Sequence, residues 1–163
     1  MKNQIILLAL LSLTIFSCKK ETAILNGLEG KWNVSELQFS GYTQKDSIVK
    51  VTQTSIEFDA CNADENNTTT SGCNVYITEA GIRNRFAYQV QVIRGQGNLV
   101  NINAISDVGL VNSPAYQKAL QKWDKSYQII ESGEKNLVLI RSYGCVQING
   151  VDNCNKMKVI ASK

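Results

Sequence analysis

The sequence predicts an all-β domain. It is read as an eight-stranded antiparallel up-and-down barrel with one short helix between strands five and six, a β-sandwich being the alternative packing of the same strands. Three observations lead there. From Trp32 onward, apolar and polar residues alternate in short runs separated by turn residues. The runs number eight and most connections are of hairpin length, an arrangement that removes its own edges by closing into a barrel. The chain has 163 residues, enough for one domain with a real core once an apolar leader is subtracted.

The leader comes first. Lys2 supplies a positive start and Ile5 to Phe16 is an almost unbroken apolar run, too short to cross a bilayer as a helix. It ends in Ile15-Phe16-Ser17-Cys18 and resembles a bacterial lipoprotein signal, in which a small residue precedes a cysteine that is lipidated and becomes the new N-terminus. An ordinary secretory signal with an incidental cysteine is the alternative. The resulting division is residues 1–17 as signal peptide, 18–26 as lipidated cysteine and tether, and 27–163 as the barrel domain. Each buried CH₂ of palmitate-type chains on Cys18 would add about 0.8 kcal/mol of membrane affinity. Lys19-Lys20-Glu21, next in the chain, resembles the charged stretch after the cysteine in lipoproteins of the Bacteroidota. That resemblance implies an outer-membrane protein facing the periplasm or the cell surface; a solvated linker is the alternative reading of the same three residues.

The first strand is expected from Trp32 to Phe39, ending at Ser40-Gly41. Ile48, Val49 and Val51 mark a short strand or the approach to one, and Ser55 to Ala60 forms the second strand. The polar segment Asn62 to Gly72 is a turn, after which Val75 and Ile77 open the third strand. Phe86, Tyr88, Val90 and Val92 alternate strictly in the fourth, and Gly95-Gln96-Gly97-Asn98 turns into a fifth over Leu99 to Ile105. Ser113-Pro114 has the chemistry of a helix start, and Tyr116, Leu120 and Trp123 recur on one face through Asp124. Tyr127 to Ile130, Asn136 to Tyr143 and Lys156 to Ala161 supply the last three strands, with Gly144 to Asn155 as a turn.

Of the five cysteines, four remain after Cys18 and form two close pairs, Cys61 with Cys73 and Cys145 with Cys154. An even number in an exported chain reads as disulfides, and proximity favours these two local bonds among three connectivities. Each closes a loop of roughly ten residues, worth about 2.5–3 kcal/mol in the chain-entropy model.

At Gly30-Lys31-Trp32 the chain resembles a lipocalin, whose Gly-x-Trp motif opens the first strand after a short helical turn; Leu25 to Glu29 is placed to form that turn. The resemblance is to the lipocalin-like lipoproteins of the Bacteroidota. It implies that Trp32 plugs the closed end of the barrel and that an arginine from a late strand packs over it, Arg141 being the matching position. The helix between strands departs from the larger family, which instead carries a long helix after the barrel.

Chemistry is sparsely signalled. The chain has no histidine, and its formal charge of +3 is too small for a nucleic-acid binder. Neither cysteine pair has zinc spacing, and the oxygen-rich run from Asp59 to Asn66 lacks the glycine and the distal carboxylate of a calcium loop. Glu36, Glu57, Glu79 and Glu131 fall on or beside separate strands, most facing outward, so no catalytic residues, metal or cofactor are expected. A ligand pocket, where one exists, would be lined by Phe58, Tyr88, Val90 and Ile102, with Tyr116 and Trp123 either packing on the exterior or gating the mouth. An eight-stranded barrel either fills itself with side chains or holds one small ligand. The expected function is therefore a membrane-anchored envelope lipoprotein binding a small apolar or amphipathic molecule. The alternative is a non-enzymatic interaction or structural module with a filled barrel.

Overall fold

The structure, a computed structural model, describes residues 20–62, 73–93, 97–105 and 113–163. Cys18 and the leader lie outside the described residues, as do Asp64, Glu65, Asn66 and the Gly95-Gln96 turn. A helix, α1, covers residues 20–28. Nine strands follow: β1 (Gly30–Gly41), β2 (Ser47–Lys50), β3 (Thr54–Phe58), β4 (Asn74–Glu79), β5 (Ile82–Ile93), β6 (Gly97–Asn103), β7 (Ser126–Ser132), β8 (Asn136–Ile148) and β9 (Val151–Ser162). A second helix, α2 (Pro114–Trp123), stands between β6 and β7.

Every strand pairing is antiparallel and sequential from β3 to β9, and β9 returns to pair with β1 from Asn33↔Ser162 to Gly41↔Asn155. That last ladder closes the sheet into a barrel and excludes the β-sandwich. The ring has eight staves because β2 and β3 lie end to end along β1, β3 against Gly30–Asn33 and β2 against Glu36–Phe39. The expected short strand at Ile48–Val51 is thus the upper half of the second stave, broken at residues 51–53. Gln53 there has a φ of 59°, outside the range of a continuous strand. β2 is fastened to β1 by the Lys50–Glu36 ion pair, whose hydrogen bond holds the Glu36 carboxyl below the usual carboxylate range.

Three boundaries differ from the sequence reading. Residues 22–26, expected as tether, are helical, and Ile24 and Leu25 are buried in the core, so the folded body begins inside that segment. Gly144 to Asn155, expected as a turn, is mostly ladder: a bulge between Tyr143 and Val146 shifts the register, and pairing then resumes to Ile148↔Val151. The disulfide Cys145–Cys154 crosses that hairpin, and Cys61–Cys73 joins the end of β3 to the start of β4. The fifth strand begins at Gly97 rather than Leu99 and ends at Asn103. Gly41 is needed where β1 meets β9, since a side chain there would come within 2.5 Å of the Asn155 Cα.

Alternation puts Trp32, Val34, Ile56, Phe58, Phe86, Tyr88 and Val90 on the inner face, where they join one hydrophobic core. A bulge between Val34 and Glu36 resets the period, so that Leu37 also points inward.

Candidate functional site at the barrel mouth

The barrel has two ends, each closed by a helix. At the base, where β1 begins, Gly30 turns the chain out of α1 with a φ of 104°, a conformation that favours glycine. Trp32 follows, fully buried, and its indole Nε1 donates to the Leu28 carbonyl at 2.6 Å. That carbonyl belongs to the last residue of α1 and would otherwise lack an intrahelical partner, so one bond satisfies both groups and docks the helix. The cation over the Trp32 ring is Lys163, with Nζ 4.4 Å from the ring centroid.

Arg141 is not there. Register explains the correction: at the base β8 contributes Asn136, which pairs with Ser162, itself opposite Asn33, whereas Arg141 lies five residues further along toward the mouth. The run Leu137 to Ile140 indicated an inward arginine near its end, but not which end of the barrel that would be.

At the mouth, α2 is the plug. Tyr116, Ala119 and Trp123 are buried in the same core as the inward strand residues, and Tyr116 stacks on Phe86 at 5.4 Å. The Tyr116 hydroxyl accepts from the Ile105 amide and donates to the Arg85 carbonyl. Trp123 Nε1 donates to Glu79 at 3.1 Å, and Lys122 pairs with the other oxygen of that carboxylate. The C-terminal carbonyls of α2 are taken by the barrel wall: Tyr127 donates its hydroxyl to the Lys122 and Trp123 carbonyls, and Arg141 Nη1 donates to Lys122 at 2.9 Å. Both helices thus dock through C-terminal carbonyls onto inward side chains, where the helix dipole favours donors and positive charge. Glu79 was read from the sequence only as one of four carboxylates on separate strands, and Tyr127 only as the start of a strand. A strand-terminal carboxylate and one more alternating tyrosine carry no local signal of facing a helix.

Arg141 Nε is buried without a hydrogen-bond partner, which offsets the benefit of its bond to α2. Arg141→Met is therefore expected to change stability by less than about 1 kcal/mol, since an apolar chain of similar length removes the uncompensated group. Urea unfolding checks this, and a loss of several kcal/mol would instead make the guanidinium an essential latch.

Burial raises the Tyr127 phenol well above its ordinary value near 10, and the Arg141 charge opposes only part of that shift. Below about pH 10 the phenol is protonated in both states; above it, the unfolded chain releases a proton that the folded chain keeps, so stability falls as pH rises. Tyr127→Phe is expected to flatten this alkaline loss, while costing about 1 kcal/mol at neutral pH for the bonds to α2. Unfolding of both proteins at about pH 8 and about pH 11 tests it, and identical losses would reject the assignment.

The six pocket candidates do come together, but as packing. Phe58, Tyr88, Val90, Ile102, Tyr116 and Trp123 are between 0% and 2% exposed, and Phe58 meets Tyr88 edge to face at 5.0 Å. A void able to hold even one water would leave accessible area on the side chains around it. Trp32, Ile77, Val100, Tyr127, Leu139 and Val159 are 0% exposed. Apolar surface is found outside instead, on the hairpin beyond the mouth (Val146, Ile148, Val151), on Tyr42, and on β2 (Ile48, Val49).

No protein-family model matches the chain, and a search of curated proteins finds no match. Among solved structures the chain is similar to a lipocalin-like protein from Bacteroides uniformis, at 14% identity over 84% of this chain and 98% of that one, with a TM-score of 0.47.

Proposed function

We propose that the chain is a non-enzymatic, lipid-anchored module of the bacterial cell envelope that acts through its outer surface, with the barrel as a filled scaffold. The observation that carries this reading is that the described inward side chains, from Trp32 at the base to Trp123 at the mouth, are almost wholly buried in one core. A lipid on Cys18 would lie two residues before the first described helical residue, Lys20, and would hold the base toward the bilayer. A 12-residue stave tilted as in such barrels is about 30 Å high, so the hairpin would be presented about that far from the anchor. Its exposed Val146, Ile148 and Val151, braced by Cys145–Cys154, suit a protein partner at that height.

The carrier of a small amphipathic molecule is the second reading. It is favoured by the partnerless Arg141 Nε under α2, a cationic group that an anionic head could take up were the helix to swing out.

Native mass spectrometry of the mature protein taken gently from its own membrane separates the two. The scaffold reading expects the mass of the lipidated chain with two disulfides, alone or with a second polypeptide that is lost from a Val151→Asp variant. A reproducible small-molecule mass that disappears on denaturation would replace it with the carrier.

A further inference from the structure

The broken second stave lines a recess on the outer flank of the barrel. Residues 51–53, where β2 stops and β3 begins, lie beside the β4–β5 turn at Ala80-Gly81, with Val51 still bonded to the Ser35 carbonyl of β1. Both segments line a recess of about 700 Å³. Its floor is the outer face of β1, β3 and β4, where Asn33 pairs with Ser55 and Ser55 with Thr78. Ser35, Gln53 and Ser162 complete the polar lining. Ser55 points outward yet is only 8% exposed, which marks a concave floor rather than an open face.

Two features distinguish this recess from ordinary strand surface. The first is strain. Gln53 holds a left-handed backbone angle, φ 59°, that residues with a side chain rarely adopt, whereas Ala80, φ 48°, forms with Gly81 the two-residue turn of the β4–β5 hairpin, which requires such angles. They are joined by the Ala80 amide donating to the Gln53 carbonyl at 3.1 Å. Costly conformations persist where the surrounding structure holds them, and such positions concentrate at ligand clamps. The second is chemistry. Among the described residues, the polar lining of the recess is uncharged apart from Lys31. Hydroxyls and carboxamides each both donate and accept. Their natural complement is a ligand whose own groups do the same at close spacing, without net charge.

We infer that this recess binds a neutral carbohydrate, its hydroxyls bridging Asn33, Gln53, Ser55 and Thr78. An anion would find one lysine, and an apolar ligand would leave this polar floor unpaired. The inference does not depend on what the hairpin meets.

The test uses the full chain in a detergent without a sugar head, titrated with neutral gluco-oligosaccharides of two to six units and followed by NMR. Binding should shift the side-chain amides of Asn33 and Gln53 and the backbone amides around Ser55 and Thr78. Asn33→Ala, Thr78→Val and Gln53→Gly should each weaken it about five- to tenfold, the equivalent of one hydrogen bond. Glycine is chosen at position 53 because it adopts that backbone angle freely. Oligogalacturonate of the same length, bearing negative charge, should bind no better than the neutral series. Shifts absent from the recess, shifts unaffected by all three variants, or preference for the anionic sugar would each overturn the assignment.

Discussion

Replacing Trp123 by alanine is expected to destabilise the protein by about 3–5 kcal/mol, the range for deleting a buried aromatic. The ring is fully buried at the mouth, and its indole shares Glu79 with Lys122. Removing it deletes the largest side chain of the α2 plug and takes a donor from a half-buried carboxylate. The hole would open within the hydrophobic core that Trp123 shares with Phe86, Tyr116 and Tyr127, so the variant should also take up a small apolar probe such as benzene, which the parent is expected to exclude. Urea unfolding measures the first effect and probe titration the second. A cost under 1 kcal/mol with no uptake would mean that α2 sits on the mouth without sealing it.

Trp32→Ala is the matching experiment at the base, again with an expected loss of about 3–5 kcal/mol. Trp32→Phe separates volume from hydrogen bonding. It keeps most of the ring, but leaves the Leu28 carbonyl at the end of α1 without its donor, for about 1–2 kcal/mol. The loss should appear first as faster hydrogen exchange in residues 20–28, since the indole bond is what fastens that helix. Lys163→Ala should cost about 0.5–1 kcal/mol through the lost cation–π contact, whereas Arg141→Met should leave exchange at the base unchanged. The reverse pattern would place the arginine, not the lysine, over the ring.

How much of this was legible depends on the range of each interaction. The strand from Phe86 to Val92 is written in period-2 alternation, a property of the pleat itself, and the strand from Asn136 as a short continuous apolar run, Leu137 to Ile140. The helix start at Ser113-Pro114 needs only the fixed φ of proline, and α2 begins there. The two cysteine pairs are close in sequence, so each bond could be read without knowing the fold. The Gly30-Lys31-Trp32 triplet pointed to a buried tryptophan opening the first strand, and Trp32 is that residue. The spacing of the candidate pocket residues places them near one another and says nothing of whether space remains between them.

Taken alone, the sequence determined the all-β class, the order of the staves and the helix that starts at Pro114. All of these follow from spacings of a few residues. The tertiary structure decided that β9 returns to β1, that Lys163 rather than Arg141 covers Trp32, that α2 plugs the mouth, and that the described inward side chains bury one another. Those outcomes rest on ladder register between strands more than a hundred residues apart and on how side-chain volumes sum across the barrel. Neither quantity exists until the ring has closed.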